Sequence, residues 1–236
     1  MLTIELAGIP IGIENRYPIQ ERFKGYSSER EPFFTVSVSD EDLEAERKLQ
    51  KAVSDRTLEY VCVYRKIAEF LPEYEAFVFH GAAVAKDAEA YLFTAPSGTG
   101  KSTHANLWTT SFPDAWIING DKPIIRKLDG RFYACGTPWK GKEGLGTHEN
   151  VPIRGLCLLH QSKENRIYPV RGRELAAFIM RQVYLPKDSA RLVKFLDLLD
   201  EFCCVTPTYS LYCNMDQSAA ELSFRTMSAA PEEEQS

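Results

Sequence analysis

Apolar and polar positions change period several times along the chain, and each change predicts an element. "LTIEL" near the start and "FFTVSVS" at 33–39 are short β-like runs with a polar, Pro- and Gly-containing stretch between them. From Ser39 the period shifts. "SDEDLEAERKLQKA" has an acidic first turn and a helical composition. "TLEYVCVYRKIAEFLP" places Leu58, Val61, Cys62, Tyr64, Ile67, Phe70 and Leu71 at helical spacing, with Pro72 as its stop. "AFVFHGAAVAK" and "AYLFTAP" are apolar runs around the turn-like "KDAEA" and predict two buried strands, the second leading into a Gly-rich segment. "STHANLWTT" opens a helix, and "AWIING" is a strand ending at Asp121. "PIIRKLDGRFYACG" alternates around Asp129-Gly130, a hairpin signal. "IRGLCLLHQ" predicts a strand, "GRELAAFIMRQVY" and "SARLVKFLDLLDEFC" amphipathic helices, "YSLYCN" a short strand, and "DQSAAELSFRTM" a last helix. Strands alternating with helices predict an α/β protein. Residues 1–75 form a small N-terminal β/α region packed on a core at 76–228, and 229–236 a flexible tail.

Composition narrows the class. At 236 residues the chain is long enough to bury a core without staples. Its net charge of −5 argues against a nucleic-acid partner, which needs an excess of Lys and Arg to neutralise phosphates. No apolar run reaches the length of a membrane-spanning helix, and "MLTIELAGIPIGIENRYP" lacks the basic start of a secretion signal. The expected setting is the cytoplasm, with no membrane partner. The six cysteines form no C-x-x-C pair and sit in contexts such as "GLCLLH" and "EFCCV". They are expected as buried free thiols, and a zinc site is excluded for want of ligand spacing.

The candidate chemistry begins at "APSGTGKST", residues 95–103. The phosphate-loop pattern is G-x-x-x-x-G-K-[ST] between a strand and a helix. Here Ala95 stands at its first position, and Gly100, Lys101 and Ser102 match the rest. Gly98 and Gly100 can take backbone angles closed to other residues, so that successive N–H groups converge on an anion. The helix start adds its positive dipole end. The nucleotide-binding set is therefore Ser97, Gly98, Thr99, Gly100, Lys101, Ser102 and Thr103, with Lys101 on the β- and γ-phosphates and Ser102 on Mg²⁺.

A second acidic group is expected at the end of a neighbouring strand. Asp121 ends "AWIING" about twenty residues on, placed to hold the metal or to take a proton from an incoming hydroxyl. His80 closes "AFVFH". By itself it reads as a structural histidine beside a core strand.

The order "FHGAAVAKDAEAYLFTAPSGTGKST" followed by "WIINGDKPII" resembles the shared core of HPr kinase/phosphorylase and ATP-dependent phosphoenolpyruvate carboxykinase, over residues 76 to 126. "CGTPWKGKEGLGTHENVPIRG" resembles bacterial HPr-kinase-like proteins of this length. The resemblance implies a phosphate-loop nucleotide-binding fold with a mixed β-sheet. It implies ATP and Mg²⁺ as cofactors, and Lys101, Asp121 and His80 as catalytic residues, with Ser102, Asp121 and His80 on the metal side. Both families carry adjacent acidic residues where this chain has Asp121-Lys122-Pro123.

The segment "TPWKGKEGLGTHENVP" is long for a connector, and with the following "IRG" it gathers Trp139, Lys140, Lys142, Glu143, His148, Glu149 and Arg154. It suits an acceptor pocket or a lid, with Lys140, Lys142, Glu143 and Arg154 as candidate substrate or phosphate contacts. The expected function is an ATP/Mg²⁺-dependent kinase acting on a hydroxyl of a protein, a peptide or a small metabolite. A non-catalytic nucleotide-binding regulator, favoured by the missing second acid, and a plain NTPase are the alternatives. Assembly into a homo-oligomer is left open.

Overall fold

The computed structural model describes residues 1–50, 52–96 and 98–229, so Ser97 and the tail from residue 230 lie outside the described residues. Strands β1 (Leu2–Leu6), β2 (Ile9–Glu14) and β3 (Phe34–Ser37) make a small sheet, with β1 and β2 antiparallel and β3 parallel to β2. The turn between β1 and β2 is Ala7-Gly8, both at positive φ (52° and 76°), the geometry of a two-residue hairpin turn. Strand β2 is a departure from the sequence reading, which placed a polar stretch there. Ile9, Ile11 and Ile13 are fully buried, and Pro10 and Gly12 masked the pattern.

Helix α1 (Asp40–Leu49) starts where expected. The Ser39 side chain accepts from Asp42 N–H while the Asp42 carboxylate accepts from Ser39 N–H, a reciprocal cap. Helix α2 (Asp55–Phe70) buries Leu58, Cys62, Val63 and Ile67 and ends in a 3₁₀ turn, Leu71–Tyr74, that contains Pro72. Buried Glu59 is satisfied by the backbone N–H groups of Arg16 and Tyr17, at 2.6 and 2.9 Å.

The larger sheet is mixed. Its strands are β4 (Ala76–Val78), β5 (Ala82–Lys86), β6 (Glu89–Thr94), β7 (Trp116–Asn119), β8 (Ile124–Leu128), β9 (Arg131–Cys135), β10 (Asn150–Gln161), β11 (Arg166–Pro169) and β12 (Thr208–Cys213). Among the described residues the order is β4-β8-β9-β10-β6-β5-β7, with β12 beside the second half of β10 and β11 beside β12. The pairs β6–β10 and β10–β12 are parallel, and the other pairs in this sheet are antiparallel. The run "AFVFHGAAVAK", read as one strand, is two. It breaks at Phe79-His80-Gly81, so that β4 pairs with β8 while β5 passes between β6 and β7. A Cβ on Gly81 would lie 2.8 Å from the Phe93 carbonyl, so the crossing needs a glycine.

Helices cover both faces. Leu92, Leu156 and Leu158 point to the side packed by α4 (Arg173–Ile179) and α5 (Ser189–Val205). Tyr91, Phe93, Cys157 and Leu159 point to the side of α3 (Lys101–Ser111) and α6 (Gln217–Ser228). Burial on both faces is why the central strands read as continuous apolar runs. The core of the N-terminal region continues into the larger sheet through Ala76, Val78, Ile124, Cys135 and Trp139. Helix α4 is shorter than "GRELAAFIMRQVY" suggested. It stops at Ile179, and Arg181 and Gln182 turn the chain, their N–H groups donating to the Phe178 and Ile179 carbonyls, so that Val183 bridges to Phe79. β-branched Val183 and the pair Leu185-Pro186 oppose continued helix. Among the described residues no helix is long and apolar enough to cross a membrane.

Candidate functional site

Strand β6 delivers the Gly-rich loop to the start of α3. Thr94, fully buried, donates its hydroxyl to the His80 carbonyl at 2.9 Å, tying the strand end to the β4–β5 crossing. Thr99 N–H donates to the Pro96 carbonyl at 3.2 Å. Gly98 and Gly100 sit at φ +80° and +116°. A Cβ at Gly98 would meet nothing within 4 Å, so the glycine is needed for its backbone angle and the space beside the loop is open. Ala95 is not among the residues at positive φ, which is why alanine serves at the motif's first position.

Gly100 is the N-cap of α3 and supplies no side-chain cap, leaving the first-turn N–H groups without a side-chain acceptor. Lys101 folds back to donate Nζ–H to the Ala95 carbonyl at 2.9 Å. Its pKa is lowered, first by burial; the charge of Asp121 works the other way. Ser102 is partly buried and Thr103 exposed on the first turn. Open space, free amide donors and an ammonium together fit a polyphosphate.

Asp121 follows β7 in a turn built by Asn119. The fully buried Asn119 accepts from the N–H groups of Asp121 and Lys122 at 2.9 and 2.7 Å. Its amide donates to the carbonyl and hydroxyl of Thr137 at 3.1 and 3.0 Å, and the Thr137 hydroxyl donates to the Lys122 carbonyl at 2.7 Å. This ring fixes the carboxylate. His80 Nε2 lies 3.4 Å from one Asp121 oxygen and Lys122 Nζ 3.0 Å from the other. Burial acts to raise the Asp121 pKa, but His80 and Lys122 outweigh it and bring it down to about 2. Asp121 is therefore ionised across the neutral range. It is a metal-side or positioning carboxylate before it is a strong base. Among the described residues no group of three or more His, Cys, Asp or Glu side chains gathers to hold a metal. The Asp121 carboxylate and the Ser102 hydroxyl are oxygen donors of the type Mg²⁺ takes.

The expected contacts from the long loop divide. Lys140 lines a cleft of about 690 Å³ beside Asp121, His80 and Lys122. Gly141 presses on Asp121, where a Cβ would come within 3.0 Å of the Asp121 Cβ. Lys142 and Glu143 point to solvent. Trp139 is buried against Phe23, Tyr60 and Tyr64, where it joins the N-terminal region to the core. Arg154 is not brought to the site. Ile153 and Gly155 pair with Ala90 and Tyr91, with Arg154 at the register shift between them, near the strand end remote from the loop. There the Arg154 guanidinium donates to the Ser228 and Ala229 carbonyls at 2.9 and 2.6 Å and lies 3.6 Å from Glu89.

Sequence reading missed Asn119, Thr137 and the far wall of the cleft. "NGD" is a recognised turn signal that pointed at Asn119. Tyr60 and Tyr64, one helical turn apart on α2, line the cleft with Arg22, Arg65, Arg181 and Gln182. No local pattern unites those positions.

No family model matches the chain, and no curated protein matches it. Among solved structures, the Hpr(Ser) kinase/phosphatase from Coxiella burnetii is similar at a TM-score of 0.35 and 8% identity, over 64% of this chain and 99% of that one. A likeness at that level decides nothing about chemistry.

Proposed function

We propose that this chain is an ATP- and Mg²⁺-dependent phosphotransferase that moves the γ-phosphoryl group to a hydroxyl. The observation that carries the reading is the β6–loop–α3 junction, with two glycines at positive φ, an uncapped helix start and Lys101 folded over the loop. The resemblance of residues 76–126 to the HPr kinase and carboxykinase core supports it. Lys101 and the loop amides hold the phosphates, and Ser102 and Asp121 stand on the metal side. Mg²⁺, when bound, neutralises charge on the transferring group. His80 and Asp121 line the cleft, and the Asp121 charge acts on Lys101 of the loop.

A second reading has one specific observation behind it. Lys122, which stands where the resembled families have a second acid, and His80 engage both oxygens of Asp121. A regulator that binds ATP without transferring phosphate fits that arrangement. Calorimetric titration of ATP with Mg²⁺ into the parent protein and Lys101→Ala tests the site. Binding that weakens by tenfold or more in the variant is expected, and equal affinity sinks both readings. Turnover of γ-labelled ATP by the parent then separates transferase from regulator.

A further inference from the structure

The cleft beside Asp121 has an unusual lining for a chain of net charge −5. Five cations line it, Arg22, Arg65, Lys122, Lys140 and Arg181, against Asp121 as the sole carboxylate among the described lining residues. Two of the cations are already matched. Arg65 is held by Glu46 at 2.7 Å and Lys122 by Asp121 at 3.0 Å. The other three have no carboxylate partner among the described residues. Arg22 lies over the Tyr60 ring at 5.2 Å, and Lys140 donates to the Gly146 carbonyl at 2.9 Å. Arg181 is exposed on the segment that follows α4.

A second observation points the same way. Gln182 also lines the cleft, is only 6% exposed, and its side-chain oxygen is buried with no hydrogen-bond partner. A buried acceptor of this kind takes an O–H or N–H from outside the protein, a ligand's or a water's. Its backbone carbonyl takes the His80 N–H at 2.6 Å, so the group sits beside the proposed reacting centre. The cleft's volume of about 690 Å³ lies within the range of roughly 300–1,000 Å³ usual for small-molecule sites. A cleft lined by one sign of charge focuses its field on an opposite ligand. A neutral serine or threonine presented by a protein surface would supply the hydroxyl and leave the three free cations unmatched.

We propose that the acceptor is a small hydroxyl compound bearing a carboxylate or phosphate group, bound in this cleft. Arg22, Lys140 and Arg181 hold its anionic group, and its hydroxyl lies beside Asp121 and His80. The proposal rests on the phosphotransferase reading and deepens it. The hydroxyl oxygen forms a bond to the γ-phosphorus. The bond from that phosphorus to the bridging oxygen of ATP breaks, and ADP leaves with the electron pair. The hydroxyl proton is released to solvent in the cleft. The N-terminal region then has a defined task, since Arg22, Tyr60 and Tyr64 form one wall.

The test uses the full chain with Mg²⁺ and γ-labelled ATP. A size-filtered cell extract is split by anion exchange into an anionic and a non-anionic pool, with the retained macromolecules as a third sample. The expected result is Lys101-dependent label on a small organic product from the anionic pool alone. With the purified product's parent compound, Arg22→Ala and Arg181→Ala should each raise its KM about tenfold and leave ATP affinity unchanged. Both side chains are exposed, so the variants retain the fold. Label on a product of the non-anionic pool or on a macromolecule overturns the acceptor class while the phosphotransferase reading stands. Unchanged KM in both variants overturns the cleft as the acceptor site. ATP binding with no label on any fraction overturns transfer and acceptor together.

Discussion

Replacing Asn119 with alanine tests the turn that holds Asp121. The side chain makes four hydrogen bonds: two accepted, from Asp121 N–H and Lys122 N–H, and two donated, to Thr137. Thr137 is 1% exposed, so its carbonyl is left without a donor in a dry site, at about 1–3 kcal/mol. The two amides are only part-buried and recover water, so each contributes about 0.5–1 kcal/mol. The loss should total about 3 kcal/mol, a large fraction of the roughly 5–15 kcal/mol that holds a domain together. Urea denaturation of the parent and Asn119→Ala reads it as a lower midpoint at unchanged slope. Among the described residues Asn119 makes no hydrogen bond with the Gly-rich loop, so ATP affinity should hold while phosphoryl transfer falls tenfold or more. A stability loss below about 1 kcal/mol would refute the claim that this side chain holds the turn.

Two further outcomes follow from the buried histidine and from Arg154. His104 on α3 is buried beside Phe93, and its Nε2 lies 3.2 Å from the Ser223 hydroxyl. That hydroxyl donates to the Ala220 carbonyl, so the imidazole donates to it and remains neutral. Burial lowers the His104 pKa from 6.5 to about 4, so the unfolded chain binds the proton more readily between those values. Stability should fall by about 3 kcal/mol as pH drops from 6.5 to 4, and His104→Gln should flatten that slope in urea titrations at several pH values. The Asp121 contribution is lost only lower, as pH falls from 3.8 towards 2. Arg154→Ala should lower the thermal midpoint, by about 1 kcal/mol of stability, because the end of α6 loses its donor. Its ATP affinity should equal the parent's, and weakened binding would return Arg154 to the site.

The parts of the site written in contiguous sequence were legible. The Gly-rich loop sits between β6 and α3 as its local pattern demanded, because backbone angle and helix start are set by a few neighbouring residues. Asp121 was found from a strand end. The cleft was not, because its walls come from Arg22, α2, the loop after Thr137 and Arg181–Tyr184, which only tertiary packing unites. The turn at Arg181-Gln182 was hidden by a helical period that continued past Ile179. Strand β2 was hidden by its Pro and Gly, and the break at His80-Gly81 by apolar residues on both sides. In each case local preference was ambiguous and the sheet decided.

The pairing of β6 has a consequence for synthesis of the chain. Its first partner, β5, is contiguous and joins it through Asp87 and Ala88, so that hairpin can close as soon as it leaves the ribosome. Its second partner, β10, pairs Ile153 with Ala90, about 60 residues later, a delay of roughly 3–12 s at ordinary elongation rates. During that interval Tyr91, Leu92 and Phe93 present an open, apolar strand edge in the nascent chain. Any pause in translation between residues 94 and 153 prolongs that exposure. Fragments ending in that interval leave β6 without its β10 partner and keep that edge open.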